Sequence, residues 1–360
     1  MSTLRPFIEQ QANSLGFTAL GFQRIGQTPH FESFEHWLKS GHHGEMSYLE
    51  RGAQVRQHPK LRLDDAQTVV VLAMPHHHQR PPDPGGRTGC VARYAWGRDY
   101  HNLMSKRLKK LRARLREHGI GNWGGVDTAP ILERAWAQAA GIGFSGKNCM
   151  QIIPATTSYF FLAVLFVTEP MEPSAPLGDH CGSCSRCLVG CPTQAFVGDR
   201  QLDSRRCISY WTIEARELAP RSLRAGFGRW VFGCDVCQEV CPHNVAAPPC
   251  DEADFAPRHA WLDLDELLLT PDEALNERFR GTPLRRPGPS GLKRNALIAL
   301  GNLGDPQAEA AILSAAQHEH PMVRAAAVWA LQRLDCKLPQ HLLNDTHAQV
   351  QQEITAGEQP

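Results

Sequence analysis

Apolar residues at Leu4, Phe7, Ile8 and Leu15 of "LRPFIEQQANSLGF" fall at helical spacing, and Gly16 can end the helix. "TVVVLAMP", residues 68–75, is a short β-branched apolar run that predicts a buried strand. "DYHNLMSKRLKKLRARLREHG" predicts a long basic amphipathic helix that stops at Gly119. "APILERAWAQAAG" predicts another helix, with Pro130 near its first turn. "MQIIP" and "YFFLAVLFV" (159–167) predict strands. The second is about half of the ~20 residues a membrane helix needs, so a buried strand is expected. The first 170 residues thus predict an α/β or α+β domain.

Two Pro-rich stretches divide the rest of the chain. "EPMEPSAPLGDH" (169–180) and "AAPPCDEADFAPRH" read as linkers on either side of a cysteine-rich segment. The expected regions are 1–170, 171–255 and 256–360. In the last, "LKRNALIALGNLG" (292–304) aligns without gaps to "VRAAAVWALQRLD" (323–335), a period of 31. Leu292 matches Val323, Ala296 matches Ala327, Leu297 matches Val328, and Ala299-Leu300 matches Ala330-Leu331. This resembles a short HEAT-like helical repeat. Two copies cannot bury a core alone, so they should dock on the rest of the chain.

Composition adds little until the cysteines are counted. The 360 residues are 42% hydrophobic and 21% charged, as a folded protein requires, and the net charge of +1 gives no global signal for partners. "MSTLRPFIEQ" lacks the apolar core of a signal peptide and a twin-arginine pair, so a cytoplasmic location is expected. Twelve cysteines in such a chain argue for metal ligation over disulfides, and eight of them fall within Cys181–Cys241.

"CGSCSRCLVGCP", 181–192, is a complete C-x2-C-x2-C-x3-C-P run, the spacing of a cubane iron–sulfur cluster. Zinc sites pair two knuckles instead, and zinc is the lesser alternative. "GCDVCQEVCP", 233–242, has only Cys234, Cys237 and Cys241 before Pro242. In two-cluster ferredoxins the fourth cysteine of each run serves the other cluster. That rule groups Cys181, Cys184 and Cys187 with Cys241. Cys191, Cys234 and Cys237 then need one more ligand, and Cys207 between the runs is the economical choice. Eight ligands make two [4Fe–4S] clusters.

Other motifs are decoys or solvated surface. "GIGFSGKN" (141–148) half-fits nucleotide loops, but Asn148 replaces the Ser/Thr used on magnesium, and helix precedes strand. His42-His43 and "HHH" (76–78) have no carboxylate or cysteine at ligand spacing. "DTHAQV" (345–350) misses the D-x-H-x-x-G cobalamin motif at Val350. Basic residues concentrate in the 99–118 helix (Lys106 to Arg116), in 205–229 (Arg205 to Arg229) and in 278–294 (Arg278 to Arg294). Together they predict a basic face suited to phosphates; separately each is a solvated helix face.

Nearly the whole chain resembles the epoxyqueuosine reductases. The likeness rests on "VARYAWGRDYH" (91–101), "VDTAPILERAWAQAAGIGFSGKN" (126–148), the eight cysteines with the "CISYWTIE" spacer (207–214), and the HEAT-like tail. It implies an N-terminal cobalamin-binding domain that does without the D-x-H motif. It also implies two clusters that feed electrons to cob(II)alamin. The activity implied is reduction of epoxyqueuosine at the tRNA wobble position to queuosine, with the epoxide oxygen lost as water. By the same resemblance Asp127 is the proton donor, and a desolvated carboxylic acid with a raised pKa suits that role; the structural reading of Asp127 is a helix N-cap region before Pro130. Arg56, Tyr94, Ser158, Lys147 and Cys90 are implied cobalamin contacts, with Cys90 near the cobalt. Arg285, Arg286, Lys293 and Arg294 would hold tRNA phosphates. A monomer fed by a donor such as flavodoxin or ferredoxin is expected, with no membrane partner. The competing readings are a corrinoid reductive dehalogenase-like enzyme and a non-enzymatic iron–sulfur electron-transfer protein.

Overall fold

The computed structural model describes residues 4–357. Eleven strands occur in chain order among them. They are β1 (Ala19–Arg24), β2 (Thr68–Pro75), β3 (Thr88–Val91), β4 (Asn122–Gly125), β5 (Phe144–Ser145), β6 (Gln151–Ile152), β7 (Phe160–Val167), β8 (Phe196–Gly198), β9 (Gln201–Leu202), β10 (Trp230–Phe232) and β11 (Trp261–Asp263).

The largest sheet has the order β1-β2-β7-β4, with every pair antiparallel. β2 and β7 read as continuous apolar runs because both faces of the sheet are covered. Val70, Leu72 and Met74 face helices Leu4–Asn13 and Tyr100–Glu117. Val69, Val71 and Ala73 face Trp136 and Ala137 on helix Glu133–Ala139. An antiparallel sheet with helices on both sides makes this region α+β.

Helix Tyr100–Glu117 buries Met104, Leu108, Leu111 and Leu115, one stripe at three- and four-residue steps. Asp99 caps it by accepting from the His101 amide at 3.0 Å, and Gly119, at φ 74°, lies just past its end. Helix Glu133–Ala139 starts later than its sequence predicts. Pro130 lies in a tight turn before it, where Ala129 N donates to Val126 O at 2.7 Å and Ile131 N to Ala129 O at 2.8 Å. Asp127 belongs to that turn and does not cap the helix.

A second sheet, β10-β3-β11, draws one strand from each of the three regions marked out in the sequence. β3 pairs parallel with β10, Cys90 opposite Trp230, and antiparallel with β11, Cys90 opposite Trp261. Its core continues without a break into the tail. Val91, Trp96, Phe232 and Leu262 share one hydrophobic cluster with Leu297, Leu300, Val328 and Leu331. The repeat therefore docks on the sheet, as its size demands. All five apolar matches between the two copies are buried pairs. The copies also approach closely: a Cβ on Gly301 would stand 2.5 Å from the Trp329 ring. Among the described residues no helix is long and apolar enough to cross a membrane.

Candidate active site

Asp127 stands two residues beyond β4, and its carboxylate is held at both oxygens. Tyr100 Oη donates to Oδ2 at 2.5 Å, and His101 Nε2 lies 2.9 Å from Oδ1. His101 is braced in turn by Asp99, whose Oδ1 is 2.7 Å from Nδ1. Helix geometry sets this up. Asp99 caps the helix, and the first turn presents Tyr100 and His101 as a stacked pair with ring centroids 4.0 Å apart. Tyr100 also stacks on Phe161 of β7 at 4.1 Å, the rings nearly parallel at 5°. Burial opposes a charge on His101, but hydrogen bonds to Asp127 and Asp99 outweigh it and lift the imidazolium to about 9. Burial and the neighbouring Asp127 carboxylate push the Tyr100 hydroxyl far up. The desolvated setting anticipated for Asp127 is not what the structure shows. Its side chain is 37% exposed, and its hydrogen bonds distinguish it instead.

The eight cysteines gather in two sets. Cys181, Cys184, Cys187 and Cys241 line one cavity of about 150 Å³ with Lys147, His180, Arg186 and His243. Cys207, Cys234 and Cys237 lie within electrostatic range of one another and of Cys191. Each set thus draws on both runs, and Cys207 lies with the second. Burial raises the Cys207 thiol, while the free amides of Ser209 and Tyr210 at the start of helix Ile208–Ile213 favour its thiolate. The Ala195 amide donates to Cys191 Sγ at 3.3 Å. These donor sets fit soft iron centres. Among the described residues no three His, Cys, Asp or Glu side chains converge tightly enough for a single ion. A cubane spreads its thiolates further apart, one on each iron.

Tyr94 links the second set to Asp127. Its ring meets Tyr100 edge-on at 6.0 Å. It also lies 3.4 Å from where a Cβ on Gly233 would stand, and Gly233 precedes Cys234. Tyr94 therefore stands between the Tyr100–Asp127 pair and the cysteine set that includes Cys234.

The remaining predicted contacts divide. Arg56 is buried, donates to Leu49 O at 3.2 Å, and shares the partly buried Glu133 as an electrostatic neighbour with Asp127. Lys147 is displaced from the role expected of it. It lines the first cysteine cavity, pairs with Asp199 at 3.3 Å, and its amide points at Cys181 Sγ at 3.4 Å. Ser158 is also committed elsewhere. Its hydroxyl donates to Gln238 at 2.9 Å and accepts from Asn244 at 2.8 Å, tying β7 to the cysteine region. Cys90 sits between Trp230 and Trp261, with Arg80, Arg229 and Asp83 as its charged neighbours, and burial raises its thiol to about 11.

Two of the four predicted phosphate contacts are wrong for a physical reason. Lys293 is 5% exposed and paired with Asp272 at 2.8 Å; Arg294 is 1% exposed and donates to three main-chain carbonyls. Arg286 is half-exposed but paired with Glu214, and Arg285 is exposed. The basic run of 205–229 is largely engaged with other groups as well, with Arg205 on Asp203, Arg221 and Arg224 on Glu353 and Arg229 on Asp83, although only Arg224 is buried. Exposed Lys106, Lys109, Lys110 and Arg116 remain on the long helix.

Sequence reasoning missed Asp99, Tyr100, His101 and Asn148. The cap position of Asp99 was readable. The 26-residue gap between His101 and Asp127 gives no local signal.

Two cubane-type cysteine sets beside a braced carboxylate, on a sheet shared with a helical repeat, define an iron–sulfur oxidoreductase. Residues 180–244 match the 4Fe-4S double cluster binding domain, 284–356 match HEAT repeats, and 56–128 match the family described as "Epoxyqueuosine reductase QueG, DUF1730". An epoxyqueuosine reductase of Pseudomonas aeruginosa is 40% identical over 348 residues, 91% of this chain and 93% of its own. One from Cellulophaga algicola is 37% identical over 298 residues, 80% of this chain and 95% of its own. A crystal structure of an epoxyqueuosine reductase with an epoxyqueuosine-modified tRNA-Tyr stem loop superposes with a TM-score of 0.91 at 30% identity, covering 98% of this chain and 97% of that one. The chain belongs to the epoxyqueuosine reductase family.

Proposed function

We propose that this chain reduces the epoxide of epoxyqueuosine in tRNA to the alkene of queuosine. The observation that carries this reading is the Asp127 carboxyl, held by Tyr100 and His101 and linked through Tyr94 to the cysteine set at Cys234. The solved relative that holds a modified tRNA stem loop supports the substrate.

Cys181, Cys184, Cys187 and Cys241 would hold one [4Fe–4S] cluster, and Cys191, Cys207, Cys234 and Cys237 the other. Cobalamin fits the wall around Tyr94, Asp127 and Arg56. Two buried side-chain nitrogens near this wall, His76 Nδ1 on a ring stacked on Phe161 and Arg93 Nε next to Tyr94, have no partner among the described residues, and a corrinoid's amide rim offers acceptors. When bound, these groups supply single electrons and a reducing metal for cleavage of the carbon–oxygen bond.

The protein supplies the proton. Opening an epoxide leaves charge on oxygen, and a carboxylic acid within hydrogen-bond reach can neutralise it as it forms. Asp127 is fixed for this by Tyr100 on one oxygen and His101 on the other. Arg285 and the lysines of helix Tyr100–Glu117 are exposed cations that would meet tRNA phosphates. A low-potential one-electron protein such as flavodoxin or ferredoxin would be the donor.

The test is turnover of epoxyqueuosine-containing tRNA by protein loaded with clusters and cobalamin under a chemical reductant. Asp127→Asn should keep its iron and its tRNA affinity and lose turnover. Wild-type rates in that variant would remove Asp127 from the chemistry.

A further inference from the structure

The reaction proposed above needs more protons than Asp127 holds. An epoxide, two electrons and two protons give an alkene and one water. The first proton reaches the epoxide oxygen as one carbon–oxygen bond breaks. The second reaches the same oxygen as the other bond breaks, and water leaves. Both electrons come from the one-electron donor by way of the clusters. A single carboxyl carries one proton, so it must be recharged within the cycle.

We propose, resting on that reading, that His101 is the proton reserve of this site: it recharges Asp127 through Oδ1, and Asp99 holds it in place to do so. The three side chains form one continuous relay. Asp99 Oδ1 is 2.7 Å from His101 Nδ1, and His101 Nε2 is 2.9 Å from Asp127 Oδ1. An imidazolium at this position donates from both nitrogens at once. It passes the Nε2 proton to Asp127 and keeps the Nδ1 proton on Asp99. Its side chain is 26% exposed, so solvent can restore it after turnover.

The charged surroundings favour a proton-loaded resting state. Asp99 and Tyr100 face His101 from its own helix, and Asp127 faces it from the turn after β4. Arg286, itself paired with Glu214, is an electrostatic neighbour of both Asp99 and Tyr100, and Glu133 is one of Asp127. Once Asp127 has given up its first proton, its carboxylate and that of Asp99 outweigh burial and keep His101 an imidazolium, its pKa raised to about 9. Tyr100, pushed far up, keeps its proton throughout and acts as a fixed donor to Oδ2. His101 is thus a positioning residue that also stores the second proton, and Asp127 is the group that touches the substrate.

The experiment compares wild type, His101→Gln, His101→Ala and Asp99→Asn, all loaded with clusters and cobalamin, on epoxyqueuosine-containing tRNA. Gln can keep a hydrogen bond to Asp127 but carries no acid proton. In His101→Gln, kcat should fall about 10²-fold or more at neutral pH, with KM for tRNA within about twofold. Wild-type kcat should decline above about pH 9, and that limb should be absent in the variant. Imidazole added to His101→Ala should restore turnover. A second readout needs no cofactor: NMR titration should place His101 near 9 in wild type and closer to 6.5 in Asp99→Asn. Wild-type kcat in His101→Gln, or a loss that imidazole does not restore and that leaves the alkaline limb in place, overturns the proposal. Failure of the wild type to reduce the tRNA would instead overturn the function it rests on.

Discussion

The side-chain amide of Asn148 donates to the carbonyl of Cys237 at 3.1 Å, across the boundary between the α+β region and the second cysteine run. One residue earlier, the Lys147 amide points at Cys181 Sγ, and one residue later Cys149 lies in electrostatic range of both Cys187 and Cys207. The loop that half-resembles a phosphate cradle therefore spans both cysteine sets. Asn148 is 4% exposed, and its Oδ1 accepts from the Met150 amide at 3.2 Å. Asn148→Ala leaves two main-chain groups without partners. It should cost about 1–3 kcal/mol and speed iron loss to a chelator. Thermal melts and iron-release kinetics check this; wild-type values in both would show that the loop does not secure the clusters.

Cys207→Ala should leave about half the iron and sulfide of the wild type, because the set at Cys181, Cys184, Cys187 and Cys241 does not use it. Electron paramagnetic resonance of the reduced variant should show one cluster signal instead of two interacting ones. Full iron and sulfide content would remove Cys207 from the ligands and leave the second set one thiolate short.

The cysteine spacing, the two long strands and the helical repeat were legible because each is written in one continuous stretch. β2 was found to the residue, since burial on both faces turns a strand into an unbroken apolar run. The β10-β3-β11 sheet was not legible. Its strands are three or four residues long and come from 88–91, 230–232 and 261–263, too short for a periodic signal and too far apart for a turn signal. The same long-range closure hid the partners of Asp127. It also reversed the reading of Lys293 and Arg294, because a basic pair on an amphipathic helix looks solvated until its neighbours are known.

That reversal separates two arginines by experiment. Arg294 donates to Trp211 O at 2.5 Å, Ala215 O at 2.9 Å and Glu217 O at 2.7 Å, tying helix Gly288–Leu303 to the segment after Cys207. Arg294→Met should destabilise by about 2–4 kcal/mol, since it strands three carbonyls. Arg285 is exposed, so Arg285→Ala should change stability by less than about 0.5 kcal/mol. It should weaken tRNA binding and reduce the salt slope by about 1. Urea unfolding and salt-dependent tRNA titration distinguish them; the opposite assignment of effects would return Arg294 to the tRNA surface.

His76 contributes to loss of stability in acid. It is 6% exposed, its ring stacks on Phe161 at 4.3 Å, and its Nδ1 has no partner among the described residues. Burial pulls its pKa down to about 3 from an ordinary value of 6.5. The unfolded chain takes up a proton below 6.5 that the folded chain refuses until about 3, so stability falls as pH drops through that window. His101 works at the other end. Its contribution is complete below 6.5 and is lost as pH rises through about 9. Burial lowers His77 and His78 as well, so His76 is one part of the acid response. His76→Phe keeps an aromatic ring against Phe161 and removes the titration. In cofactor-free protein the drop in unfolding free energy from pH 7 to pH 5 should shrink by about 2 kcal/mol. An unchanged drop, measured by urea unfolding at the two pH values, would mean that His76 already carries its proton in the folded state, held by a partner at Nδ1.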